Sequence, residues 1–301
     1  MHLDRAERYR LASRQVRILT ILARRGTEKY PDAEREIDEI FRRQLPEVER
    51  ERVVVDNELP AGHLQREGGR TLIGGDNTWW EFSAFDRAIA SVGSRIWAFD
   101  LVHLATSAFN TLYTGYLERF DLACLQAVAR RAACLGHIDC YNEPVDILTF
   151  RSQHWMRTSF LFLPPAELKA LGTLVGSRDR GRFFTGDPAV PFRADAPLSA
   201  SYRRLITDWL TGGDTGQGMR WHSRLAPSPE ALSMFEGKAM AIINEHLLAI
   251  RLRAMGCRVL DVTWLSARLR EGPASDVAWD TGWQRQLAER DRDRVLVPRA
   301  G

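Results

Sequence analysis

The sequence predicts an α/β fold in which a mostly parallel sheet is flanked by helices. Three observations carry that expectation. Short apolar runs rich in β-branched residues alternate with segments of helical period. Two separate strand ends carry the same acid–amide pair, Asp56-Asn57 and Asp76-Asn77. The chain of 301 residues is 45% hydrophobic and 27% charged, enough apolar material for a core.

The elements follow in order. VRILTIL, residues 16–22, is the first strand, ended by Arg24, Arg25 and Gly26. In DAEREIDEIFRRQ, residues 32–44, Ile37, Ile40 and Phe41 fall on one helical face with charges elsewhere. RVVVDN, 52–57, is a second strand, followed by a polar loop from Glu58 to Arg70. TLIGG is a third. Residues 80–92 place Phe82, Phe85, Ile89 and Val92 on one face, a helix packing on the sheet. RIWAFDLVHLA, 95–105, is a fourth strand. This is a βαβ series, whose crossovers are right-handed. Residues 111–120 and 123–135 turn helical, and 137–163 mix short strands with aromatics. Residues 176–200, rich in Gly, Pro and charge, read as a long loop, a lid or an acceptor-side insertion. Residues 231–256 are helical with Gly256 as cap, and 258–264 form a last strand. The organisation is therefore 1–110 as a ligand-binding βαβ part, 111–271 as the rest of the same domain, and 272–301 as a polar C-terminal tail.

Net charge is +3, so no broad nucleic-acid surface is expected. Cys124, Cys134, Cys140 and Cys257 form no CxxC pair and read as reduced core thiols of a cytoplasmic protein. The N-terminal stretch MHLDRAERYRLASRQ lacks an apolar h-region, and no apolar run reaches the roughly 18 residues of a membrane span. Peripheral contact with the inner membrane face stays open.

In open parallel sheets, ligands sit beyond the carboxyl ends of the strands. Asp56, Asn57, Asp76 and Asn77 fall there. Gly74 and Gly75 leave room for close approach of a ligand. Asn77 or Thr78 can cap the helix near Trp80, whose N-terminus is suited to phosphate. Trp79 and Trp80 either wall a cleft or belong to the core. No GxGxG loop follows the first strand, which disfavours a methyltransferase.

VVVDN and GGDNTWWEFSAFDRAI together resemble the opening motifs of GT-A glycosyltransferases, the large inverting family 2 above all. The nearest likeness is to bacterial polysaccharide and lipopolysaccharide glycosyltransferases of the rhamnan-synthesis type. The resemblance covers residues 15–110 and, more weakly, 137–260. It implies that Asp56 contacts the nucleobase of a sugar nucleotide, with Asn57, Gly75, Asp76, Asn77 and Lys238 around the donor. INEHLLAIRLRAMGCRV, 243–259, resembles the pattern in which an acid opens a helix and acts as general base, which implies Glu245 as base. His246 is the fallback. In FRSQHWMRTSFLFLPPAEL, the resemblance places His154, Trp155 and Arg157 toward a glycan or lipid-linked acceptor.

The sequence departs from the family at the end of the fourth strand. An Asp-x-Asp that holds Mg²⁺ or Mn²⁺ is implied there, but HLATSAFN puts Thr106 and Ser107 in its place. Either Asp76, Asp100 or another acid supplies a metal site, or cations such as Lys238, Arg151 and Arg157 offset the diphosphate in a metal-independent reaction. The departure also admits a catalytically inactive glycan-binding or assembly subunit.

Overall fold

The computed structural model describes residues 15–213 and 224–295; the N-terminal stretch 1–14 lies outside the described residues. Its centre is an α/β layer with an eight-stranded mixed sheet. The first four strands in the chain are β1 (Arg17–Arg24), β2 (Glu49–Asp56), β3 (Leu64–Glu67) and β4 (Arg70–Gly74). Then come β5 (Leu101–Thr106), β6 (Ala133–Gly136), β7 (Ile138–Ile147), β8 (Phe150–Met156), β9 (Phe160–Leu163) and β10 (Arg258–Asp261). The sheet order is β10-β6-β9-β5-β1-β2-β4-β3, and β7 with β8 forms a separate antiparallel ribbon.

The expectation of a mostly parallel sheet is corrected. β1 pairs in parallel with β2 and β5, as β2 does with β4 and β6 with β10. β3 runs antiparallel to β4, and β9 runs antiparallel to both β5 and β6. β9 follows the ribbon after a short turn at 157–159, with no helix between them to carry the chain back for a parallel entry.

Side-chain alternation along β1 divides the core into two layers. Leu19, Ile21 and Ala23 pack toward helix α2 (Glu81–Val92). Ile18 and Leu22 pack toward α1 (Ala33–Gln44) and α3 (Leu122–Ala129). In α1 the buried residues are Ala33, Ile37, Ile40 and Phe41, the expected stripe. A third cluster joins the β7–β8 ribbon to α5 (Ala200–Thr211) and to the 26-residue α6 (Pro229–Ala254). The short α4 (Pro165–Leu171) follows β9. Gly256 follows α6 with φ +81°, the left-handed conformation expected past a helix end.

Several boundaries differ from the sequence reading. The loop expected from Glu58 to Arg70 contains β3, an exposed edge strand that the four-residue hairpin register alone defines. Residues 93–98 are a 3₁₀ helix rather than the start of β5. The helix expected over 123–135 stops at Ala129 and β6 follows. The last strand stops at Asp261, whose side chain accepts from Thr263 N and Trp264 N and so starts helix α7 (Val262–Glu271). Within the expected tail 272–301, α8 (Trp283–Val295) packs on α7 and β10. No helix among the described residues is long and apolar enough to cross a membrane.

Asp261 is fully buried. It accepts from Ile138 N at 3.0 Å and from Arg290 Nη1 of α8 at 2.8 Å. Removing one partner of a buried pair leaves an uncompensated charge, so Arg290→Met should destabilise the protein by about 3–5 kcal/mol. Adding Asp261→Asn should recover part of that loss. Urea unfolding of the two variants checks both expectations.

Candidate functional site

The topology brings many chain segments to one edge. β1, β2, β5, β6 and β10 all end there, and the antiparallel β9 begins there. The strand order reverses between β1 and β5, the switch point where open sheets form crevices. A cavity of about 520 Å³ lies at this edge. Its floor is Ala23, Thr106, Ser107 and Ser159 from the strand ends; its walls come from the first turn of α2, one face of α6 and the ribbon. Of the expected site residues, Asn57, Asn77, Trp155, Arg157, Lys238 and Glu245 line it.

Glu245 lies deep within α6, not at a helix start. With Lys238, Ala241 and Ile242 it forms the cavity-facing stripe, at helical spacing. Its Oε1 accepts from Thr158 N at 2.7 Å and Thr158 Oγ1 at 3.0 Å, so its other oxygen is left for a ligand. Burial pushes the Glu245 carboxyl up to about 7 against those two bonds and Arg157, with Asp139 adding to the rise.

Glu81, the first residue of α2, is a second such acid, unnoticed in the sequence. Burial pushes it up to about 7; its own backbone N–H and Lys238 oppose the rise, and Glu245 adds to it. Burial and the neighbouring Lys29 lower Lys238 to about 8, with Glu81 opposing. Gly237 makes this meeting of helices possible. A Cβ there would stand 2.7 Å from Trp80 Nε1, so only glycine admits the indole against α6.

Arg157 donates through Nε to Asp139 and through Nη1 to the carbonyls of Leu112 and Tyr113 at 3.4 Å. Asp139 is held well below the usual carboxylate range: burial opposes ionisation, but His137 and Arg157 outweigh it. Trp155 is 3% exposed and packs against Tyr141, Trp209 and His246, so it is both core and cavity wall.

Other expected site residues are elsewhere. Asp56 is 4% exposed and faces the chain, not the cavity. It accepts from Gly26 N at 2.8 Å, Glu58 N at 3.0 Å and Arg24 Nε at 2.7 Å, tying down the loops after β1 and β2. Gly75 accommodates the Asn57 amide, whose Oδ1 would lie 1.9 Å from an added Cβ, rather than a ligand. Gly74 likewise admits the carbonyl of Pro60. Asp76 accepts from Thr78 N at 2.9 Å on the exposed side of the turn. Neither Asn77 nor Thr78 caps α2; the N-cap is Trp80, with φ 55°. Asn57 Nδ2 instead donates to Asn77 Oδ1 at 3.2 Å and to Trp80 O at 3.3 Å, closing the turn over the cavity rim.

His154 alternates with Trp155 along β8 and so faces away, stacked on Trp283 at 4.5 Å and bonded to Arg253. His246 is buried between the hydroxyls of Tyr141 and Tyr202, and burial pushes it down to about 3. Arg151 is exposed on the ribbon and does not line the cavity. The 176–200 segment is packed rather than open: Gly176 N and Ser177 N donate to Asn244 Oδ1 at 2.8 Å, and Phe183, Phe184 and Phe192 are buried.

The residues that the sequence offered in place of an Asp-x-Asp do not gather as a metal site. Asp100 precedes β5 and bonds Arg17 N at 2.8 Å, at the opposite edge of the sheet. Asp76 faces outward, and Thr106 and Ser107 offer only hydroxyls. Among the described residues, no three His, Cys, Asp or Glu side chains converge as a metal site would require. No protein-family model, curated protein or solved structure matches this chain.

The two raised carboxyls give a pH signature. Between about 4.5 and 7, folded Glu81 and Glu245 hold protons that the unfolded chain has released. Their contribution therefore favours the folded state at low pH and is lost as pH rises through about 7. Urea midpoints measured from pH 5 to pH 8 should fall less for the Glu81→Gln, Glu245→Gln double variant than for the wild type. Equal slopes would contradict the assignment.

Proposed function

We propose that the chain is a sugar-nucleotide-dependent glycosyltransferase that acts by inversion. Its acceptor is a glycan or lipid-linked glycan of a bacterial surface polysaccharide, the class implied by the VVVDN and GGDNTWWEFSAFDRAI motifs. One observation carries the reading: Glu245 faces a crevice at the carboxyl edge of the sheet, with its carboxyl near 7 and cations on the same wall.

A base poised near neutrality suits this reaction. The acceptor hydroxyl attacks the anomeric carbon from one side. Its proton passes to Glu245, and the bond from that carbon to the diphosphate breaks on the other side, the diphosphate leaving with the electron pair. Thr158 fixes the carboxylate through Oε1, so its orientation is set before the acceptor arrives. Asn57, Asn77 and Trp80 line the donor side. Asp56 acts one step back by holding the loops that frame the cavity. The role first assigned to it, nucleobase contact, passes to neighbours that reach the cavity.

Release of nucleoside diphosphate from UDP-, GDP- and dTDP-sugars, or of CMP from CMP-sugars, read with and without candidate acceptors, tests the reading. Glu245→Gln should lower turnover by about 10²–10⁴-fold and leave donor binding nearly intact. The wild-type rate should rise with pH through about 7, as Glu245 ionises. Donor binding without turnover for any acceptor would instead support an inactive glycan-binding subunit.

A further inference from the structure

We infer that Lys29 and Lys238, with Glu81 as their counter-charge, form the seat of the donor's diphosphate and hold it without a divalent cation. The inference rests on the glycosyltransferase reading and adds to it the chemistry of the leaving-group site.

The two ammonium groups come from separate elements, the loop after β1 and the middle of α6, and line one cavity. They are close enough for Lys29 to disfavour the charge on Lys238. Like charges brought together at a half-buried wall repel each other, and an anion between them converts that repulsion into attraction. The same pair would repel a metal ion. The arginines of the cavity are committed to other tasks. Arg24 holds Asp56 and Glu34, Arg25 faces Glu58 at 3.6 Å, and Arg157 holds Asp139. Lys29 is exposed, and among the described residues its charge meets the ring of Tyr30, 5.2 Å away, rather than a carboxylate.

Lys238 is faced by Lys29 from the β1 loop and by Glu81 from α2, and Glu245 lies two turns further along α6. Glu28 and Glu58 also line the wall, near the mouth. Glu81 favours the protonated lysine, and bound phosphates would take over that role. Burial and Lys29 lower Lys238 to about 8, so anion binding at pH 8 favours its protonated form and draws in protons.

Isothermal titration calorimetry at pH 8 in EDTA, with UDP, GDP and dTDP as probes and two buffers of different ionisation enthalpy, tests this. At least one nucleoside diphosphate should bind with net proton uptake, and Mn²⁺ should not tighten it. Lys29→Met and Lys238→Met should each weaken binding by about tenfold or more, and Lys238→Met should also abolish the proton uptake. Lys29 is on an exposed loop, so its variant keeps the test valid if Lys238→Met proves unstable in a thermal melt. Binding that requires Mn²⁺, or that neither substitution weakens, overturns the inference and leaves the glycosyltransferase reading standing. Binding of none of the probes under either condition overturns both.

Discussion

The cavity depends on a buried line of charges that runs from the C-terminal helix to the general-base candidate. Arg290 of α8 meets Asp261 at 2.8 Å, and His137 stands between Asp261, at 3.6 Å, and Asp139, at 3.2 Å. Asp139 holds Arg157, whose other nitrogen reaches the carbonyls of Leu112 and Tyr113. The next residue, Thr158, holds Glu245. Each member would be costly to bury alone, and the opposite charges along the line offset one another. The line links five elements: α8, β10, the β7–β8 ribbon, the 107–114 segment and α6. It therefore fixes their spacing where packing of apolar side chains would leave some freedom.

The antiparallel β9 is the topological counterpart of this line. A parallel strand in its place would begin at the opposite edge of the sheet. Because β9 runs against β5, with Ala105 paired to Phe160, the preceding residues Arg157, Thr158 and Ser159 emerge at the cavity. The departure from a parallel sheet thus delivers the partner of Glu245. It also explains why the ribbon contributes one face to the site. Trp155 and Arg157 point in, while His154, just before Trp155, points to α8.

The first half of the fold was legible because local pattern decides it. The stripes of α1 and α2 and the β-branched runs of β1, β2 and β4 are properties of short windows. Asn57, Asn77, Lys238 and Glu245 were legible at the site because a general rule places strand ends at the ligand, or because a motif resemblance singled them out. Asp56 and Gly75 misled for a shared reason: a loop that must be held in place near a ligand uses the same residue types as the ligand contact itself. Glu81 escaped notice because an acid in the first helical turn is ordinarily explained by the helix dipole. Its neighbour Trp80 packs against Gly237, 156 positions from Glu81, a contact that no sequence window joins to it. α8 was missed because its buried polar residues, Gln286 and Arg290, bind Asp261 and neighbouring backbone instead of forming an apolar stripe.

The proposed chemistry also has a length that can be compared with the scaffold. Lys238 and Glu245 are seven residues apart on one face of a straight helical stretch, so their backbones are separated by about 10 Å along the axis. An in-line displacement needs the attacking oxygen roughly 3–3.5 Å from the anomeric carbon, with one C–O bond beyond it. Hydrogen bonds of about 2.8 Å from base to nucleophile and from cation to leaving phosphate extend that line to about 10 Å. A single rigid helix can therefore present the base at one end of the reacting axis and the charge that receives the diphosphate at the other. Two residues on separate loops would have to be held at that separation by other contacts. On α6 the 1.5 Å rise per residue sets it, and the Thr158 bond to Glu245 fixes the position of the helix face against the sheet edge.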